Sequence, residues 1–214
     1  MKLILASASP RRAQILRDAG IDFEILPTGV HEARARGEGP ESMTQRLAEA
    51  KAQAAVIKLG RLQEPTIVIA ADTVVELEGQ AFGKPDSAEM ARDMLCRLSG
   101  KTHRVITGIA VVRLPDGVAR IETECTTVRF ATLTPEEVSE YVQTGEPLDK
   151  AGAYAIQGFG GRFIERIEGC YFNVVGLPLA RLYRLLVNLG WRARPSYSGG
   201  TELEHSQGLE RYTK

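Results

Sequence analysis

The chain has 214 residues, with 27 basic and 27 acidic side chains, a formal net charge of zero and 43% hydrophobic residues. This is the composition of a globular protein able to bury a substantial core, in one domain or in one domain divided into two lobes about a cleft. It excludes collagen, coiled coil and wholesale disorder, and the charge balance argues against a protein whose main task is to grip nucleic acid without regard to sequence.

Residues 2–6 read as a short buried strand, and residues 10–19 as a helix that Ser9 caps, Pro10 opens and Gly20 ends. A strand over residues 23–26 leads into the polar, glycine-bearing loop 28–40. A long helix over residues 41–59 follows, in which Met43, Leu47, Ala50 and Ala54 fall at helical spacing. The β-branched and small run 66–71 predicts a central strand covered on both faces, with Asp72 immediately after it. Residues 74–77 and 81–82 flank a glycine-bearing turn, and Asp86 with Glu89 forms a capping box for a helix ending near Ser99 and Gly100. Two long strands, 103–114 and 118–130, are joined by Pro115, Asp116 and Gly117. Thr134, Pro135 and Glu137 start a further helix that Gly145 stops. Segment 145–161 holds too many glycines for regular structure, residues 162–176 read as a hairpin, and residues 178–189 as a final amphipathic helix. One domain is expected over residues 1–190, with a disordered tail over residues 191–214.

The longest charge-free stretch, residues 169–180, is interrupted by Asn173, Gly176 and Pro178 and falls short of the about 20 apolar residues of a spanning helix. No signal-peptide core develops before Arg11 and Arg12, so the cytoplasm is the expected compartment. Cys96, Cys125 and Cys170 are odd in number and far apart, the pattern of reduced thiols rather than of a zinc site or a disulfide scaffold.

The chemistry begins where the first strand gives way to the first helix, with Ser9, Arg11 and Arg12. Two guanidinium groups in the first turn of a helix oppose its dipole, which makes sense if an anion sits before them and takes the free N–H groups and the arginine forks. A plain cap followed by two solvated arginines is the alternative. Asp72, at the carboxyl end of a central strand, stands where α/β sheets usually form ligand sites, and a carboxylate there binds a metal or takes a proton from water; an ordinary turn aspartate is again the alternative. Lys84, in the rigid turn of Gly83 and Pro85, offers an ammonium to a phosphate, while Glu32 and Lys51 taken alone are unremarkable surface residues. The run 145–158 permits close approach of backbone to a ligand, and its Gln157 offers a paired donor and acceptor suited to a base edge.

Six segments carry a resemblance: LASASPRR from Leu5, ADTVV from Ala71, GKP from Gly83, MLCRLSGKTHRVITG from Met94, GEPLDKAGAYAIQG from Gly145 and NVVGLPL from Asn173. In this order they resemble the Maf family of nucleoside triphosphate pyrophosphatases, over nearly everything from Leu3 to about Leu189. The resemblance implies an α/β fold of the Maf and inosine triphosphatase type: a long curved mixed sheet with flanking helices, and two lobes around a nucleotide cleft. It also implies a homodimer and a divalent cation, Mg2+, Mn2+ or Co2+. Residue by residue it implies Asp72 as the proton acceptor that activates water, Glu32 and Asp72 as metal ligands, and Ser9, Arg12, Lys51 and Lys84 around the phosphates. Arg11, Thr73 and Gln157 match positions associated with substrate choice. Ala71 and Ala155 replace glycines common in the family, small for small, and His31 stands where an acidic neighbour of Glu32 is common.

The reaction implied is attack of water on the α-phosphorus with pyrophosphate leaving, driven by positioning and charge neutralisation. Arg11, in place of the aromatic residue of a related subfamily, favours dTTP and UTP, together with modified pyrimidine relatives, as part of nucleotide-pool housekeeping. Two other readings stay open at this point: a 7-methyl-GTP or CTP pyrophosphatase of that related subfamily, and a regulatory binding protein linked to septum formation and cell-division arrest. Neither a nucleic-acid nor a membrane partner is expected.

Overall fold

A computed structural model describes residues 1–62 and 64–193. Strand β1 (Lys2–Leu5) pairs in parallel with β2 (Glu24–Ile25) and with β3 (Thr66–Leu77). Between β1 and β2, helix α1 (Pro10–Asp18) starts from Ser9, whose Oγ accepts from the Arg12 backbone N–H at 3.5 Å. Helix α2 (Pro40–Leu59) then leads to β3, and β4 (Gln80–Phe82) folds back against the end of β3. Helix α3 (Ala88–Leu98) is followed by the antiparallel pair β5 (Thr102–Leu114) and β6 (Ala119–Phe130). Helix α4 (Pro135–Gln143) starts from Thr134 and Pro135, as the sequence predicts, and opens with both hydrogen bonds of a capping box between Thr134 and Glu137. Three short 3₁₀ turns, Glu146–Asp149, Ala151–Ala153 and Phe159–Phe163, lead to β7 (Ile164–Glu168), α5 (Tyr171–Val175) and α6 (Leu179–Asn188). The seven strands form one mixed sheet in the order β2-β1-β3-β5-β6-β7, with β4 on β3, so the expected α/β class holds.

Three expectations need correction. The sequence divides residues 66–77 into a strand ending at Ala71 and another beginning at Val74, whereas β3 runs unbroken through Asp72. The reason is β5, which pairs with β3 residue for residue from Thr66 opposite Leu114 to Glu76 opposite Arg104 and leaves no place for a break. Helix α3 is capped by Ser87, whose Oγ accepts from Met90 N at 3.1 Å, and not by Asp86. Residues 162–176 supply one strand and not a hairpin. The Asn173 side chain donates to Val105 O at 2.9 Å and to Thr126 Oγ1 at 3.0 Å, and these bonds tie the second half of that segment to β5 and β6 as a helical turn.

Alternation along the strands sends the even-numbered residues of β3 to one face and the odd-numbered ones to the other. The even face is covered by α2, whose Leu47, Ala48, Ala52 and Ala55 pack against Val68, Ala70, Val74, Ile106 and Ala110. On the odd face the core is split. One apolar cluster joins Leu5, Ile67, Ile69 and Val111 to α1 and α6, and a second joins Val75, Leu77, Val105 and Val128 to α3 and α4. Between them lie Thr73 and Thr107, directly paired across β3 and β5, with their hydroxyl oxygens 2.9 Å apart. The two lobes therefore meet at a polar seam on one face and share a single helix on the other. Trp191, at the start of the tail expected over residues 191–214, instead packs into the first cluster, because its ring is buried against α6, and residues 194–214 of that expectation lie outside the described residues.

The close approach of α2 depends on Gly108, which faces it directly opposite Asp72. A Cβ at that position would stand 2.3 Å from Thr44 O and 2.7 Å from Gln45 N, both rigid helix backbone. Gly108→Ala should accordingly cost about 3 kcal/mol or more, the upper end of overpacking penalties, because α2 must shift as a body. Chemical denaturation with an unchanged slope and a lowered midpoint is the expected reading; an unchanged midpoint would mean that α2 gives way freely.

Candidate active site

On the edge of β3 away from β5, β1 covers residues 66–69 and β4 covers residues 75–77, leaving residues 70–74 with no strand beside them. A cleft of about 660 Å³ opens at this gap. Its walls bring together all nine residues singled out from the sequence: Ser9, Arg11, Arg12, Glu32, Lys51, Asp72, Thr73, Lys84 and Gln157. Asp72 and Thr73 are neighbours on opposite faces of the sheet, and both reach the cleft because it wraps around the bare edge.

On the α2 side, Asp72 is buried and its Oδ1 accepts from Lys51 Nζ at 2.6 Å. The same ammonium lies 2.5 Å from Glu32 Oε1. Lys51 is buried as well, in the stripe of α2 that includes Leu47, Ala48 and Ala55. Its sequence position three and four residues from those apolar residues is the signal that the stripe includes it. The partial burial of Glu32 works to raise its pKa, and the hydrogen bond from Lys51 with the charges of Lys51, Lys84 and Arg12 outweighs it, holding the carboxyl below its ordinary value.

On the other face, Arg12 does not extend into solvent. Its Nε donates to Gly176 O at 2.8 Å, Nη1 to Ser7 Oγ at 3.2 Å and Nη2 to Thr73 Oγ1 at 3.0 Å. Burial draws its pKa below the ordinary guanidinium value, against the attraction of Asp72 and Glu32. Thr73 Oγ1 also meets Thr107, so this hydroxyl is committed to holding Arg12 at the seam. Arg11 donates to Asp149 Oδ2 at 3.1 Å and to Asp149 O at 3.4 Å. Lys150 contacts the same carboxylate, and although burial pushes Asp149 upward, Lys150 and Arg11 hold it below the ordinary carboxylate range. Asp149 and Lys150 line the cleft but were not among the expected site residues. Their signal was a charged pair inside a run of glycine and small residues.

The segment carrying Gln157 is fixed at both ends. Glu146 accepts from Tyr141 Oη at 2.8 Å and from the N–H groups of Phe159 and Gly160 at 3.0 Å each. Gly152, at φ 69°, donates to Gly83 O at 3.0 Å and lies so close to Val75 that a Cβ would stand 2.7 Å from its methyl group. That contact brings the Gln157 segment and the Lys84 turn to the same rim. Beneath them, His103 Nε2 lies 2.8 Å from Tyr154 Oη, and burial lowers the imidazole pKa to about 4 despite nearby Glu76.

Glu32 and Asp72 converge on one ammonium and supply only oxygen donors, the chemistry of a hard divalent cation. Among the described residues no group of three or more His, Cys, Asp or Glu gathers at one point. Two carboxylates fit a cation that takes its remaining ligands from phosphate and water, which is how Mg2+ is commonly held. Among the described residues, no helix is long and apolar enough to cross a membrane.

A family model described as Maf-like protein matches residues 2–189. A protein of Clostridium perfringens (strain SM101 / Type A) named dTTP/UTP pyrophosphatase is 47% identical, over 88% of this chain and 97% of its own. Proteins of the same name from Moorella thermoacetica and Caldicellulosiruptor bescii are 48% and 45% identical, over 88% and 89% of this chain and 95% and 96% of their own. A solved structure described as the Staphylococcus aureus Ham1 protein aligns over 88% of this chain and all of its own, at a TM-score of 0.48 and 16% identity, a likeness too low to bear on the site.

Proposed function

The chain belongs to the Maf family, and from that premise we propose that it is a nucleoside triphosphate pyrophosphatase acting on dTTP and UTP, releasing the monophosphate and pyrophosphate. The observation that carries the reading is the bare stretch of β3, where a buried carboxylate, Asp72, and a held guanidinium, Arg12, open into one cleft with Lys84 and Ser9. A triphosphate is several-fold negative, and catalysis of its cleavage consists mainly of positioning and charge neutralisation. Arg12, Lys84 and the Ser9 cap would bind phosphate oxygens. In the empty cleft Asp72 gives Oδ1 to Lys51; with substrate bound, its Oδ2 would orient water and accept its proton as the water oxygen bonds to the α-phosphorus and the bond to the bridging oxygen breaks. A divalent cation held by Glu32 and Asp72 would neutralise charge on the phosphates. We extend the proposal to a homodimer in the cytoplasm, acting on the free nucleotide.

The deciding test incubates the purified protein with a panel of nucleoside triphosphates and separates monophosphate, diphosphate, phosphate and pyrophosphate. Monophosphate with pyrophosphate, fastest for dTTP and UTP, is expected. Diphosphate with phosphate would overturn the reading.

Base choice falls to Arg11 and Gln157, which reach the cleft from α1 and from the glycine-rich segment. Uracil and thymine present two carbonyl acceptors flanking one N–H, which a guanidinium and an amide match. Gln157 is exposed and Arg11 partly buried in the empty cleft, so the penalty arises when a bound base covers them: each polar group that the base covers and leaves unmatched costs about 1–3 kcal/mol. Arg11→Trp and Gln157→Glu should therefore shift the ratio of kcat/KM for UTP over 7-methyl-GTP by about tenfold or more. Equal losses on UTP, dTTP, CTP and 7-methyl-GTP would remove both residues from base choice.

A further inference from the structure

Lys51 occupies the position that a cation shared by Glu32 and Asp72 would need. Its Nζ is 2.5 Å from one carboxylate and 2.6 Å from the other, and its side chain is 9% exposed. The packing of α2 delivers it there, since Leu47, Ala48, Ala52 and Ala55 are fully buried around the same stripe and fix the backbone beneath the ammonium. Each carboxylate has already given one oxygen to this resident charge. The wider electrostatics point the same way: the cleft is lined by five cationic side chains against four carboxylates, so without substrate it is positive by one charge. A bare divalent ion entering such a cleft meets both a competitor for its ligands and a net repulsion. A polyphosphate reverses both terms, because it brings several negative charges and offers Lys51 new oxygen partners.

We propose that Lys51 is a placeholder for the divalent cation, so that the Glu32 and Asp72 pair accepts metal only together with a polyphosphate. The inference rests on the pyrophosphatase reading for the identity of the anion and on the geometry alone for the competition. In the empty cleft the ammonium keeps the two carboxylates compensated and apart from stray metal. When a triphosphate arrives, Lys51 transfers its hydrogen bonds to phosphate oxygens and frees the carboxylates, which makes Lys51 a residue that orders the assembly of the site as well as one that binds substrate.

The test is Mn2+ binding to nucleotide-free protein, read from the electron paramagnetic resonance signal of free Mn2+, for the wild type, Lys51→Met, Glu32→Gln and the double variant. Methionine keeps an unbranched chain one atom shorter than that of lysine and removes its charge. Lys51→Met should bind Mn2+ at least about tenfold more tightly than the wild type, and the double variant should lose that gain. The wild type and Glu32→Gln should bind Mn2+ equally weakly. Tight, Glu32-dependent binding by the nucleotide-free wild type would overturn the proposal, and so would a folded Lys51→Met that binds no better than the wild type. Circular dichroism melts establish that Lys51→Met is folded. The comparison of wild type with Glu32→Gln does not depend on that variant, since Glu32 is half-exposed in a loop. No arm measures turnover, so a failure here is separate from a failure of the pyrophosphatase reading, which the product panel decides.

Discussion

Asp72→Asn should lower kcat by about two to four orders of magnitude, the range for loss of a general base, while the protein stays folded. The amide has the shape of the carboxylate and can still accept from Lys51 through its oxygen, but it cannot take a proton from water. The fold tolerates the change because Lys51 keeps a second partner in Glu32, 2.5 Å away. Breaking a buried ion pair outright costs about 3–5 kcal/mol, whereas here the ammonium stays compensated on one side and the cost should be smaller. Product formation at saturating nucleotide, alongside a thermal melt, separates the two effects. Ordinary turnover in a folded Asp72→Asn protein would take Asp72 out of the mechanism.

Arg12→Ala should reduce kcat/KM by about two to three orders of magnitude, comparable with removing one preorganised donor from a developing oxyanion. The side chain is held by Ser7, Thr73 and Gly176, so its guanidinium is aimed before any ligand arrives, and the truncation removes charge and aim together. Arg12→Lys should rescue little of the loss, because a single ammonium cannot reproduce a planar fork anchored at three points. Steady-state kinetics with UTP over a full concentration range is the measurement, and unchanged constants would make Arg12 a structural residue of the seam.

Much of the architecture is legible in local sequence. Ser9 with Pro10, Thr134 with Glu137, and the run 66–71 each carry a signal that depends on a few neighbouring residues; the two helix starts form as read, and the run forms the buried strand expected but continues beyond Ala71. The misses are places where a distant partner decides. Nothing local to Asp72 says that β5 will pair with it through Gly108, and nothing local to Asn173 says that it will reach Val105 and Thr126. Seven of the nine residues gathered in the cleft lie in the six motifs and were legible through the motifs' order, whereas Glu32 and Lys51 lie outside every motif and were legible only as positions that the overall resemblance matches. What the motifs could not give is how the residues are held: that Lys51 lies between two carboxylates, or that Arg11 rests on Asp149. Both are long-range contacts between elements whose sequences look like solvated helix and loop.

The bare stretch of β3 also bears on how this chain keeps company with copies of itself. An unpaired strand edge is a template for another strand, and proteins ordinarily blunt such edges with charge, proline or a covering element. Here the chemistry requires one, because a neighbouring strand along residues 70–74 would fill the cleft. The liability is contained by geometry: the gap is bounded by β1 at one end and β4 at the other, with charged side chains lining the cleft around it. An intruding segment could add only a few rungs before meeting a strand already in place, and it would have to strip water from arginine, lysine and carboxylate groups to do so. The opening that admits a nucleotide is therefore too short and too polar to seed a fibril.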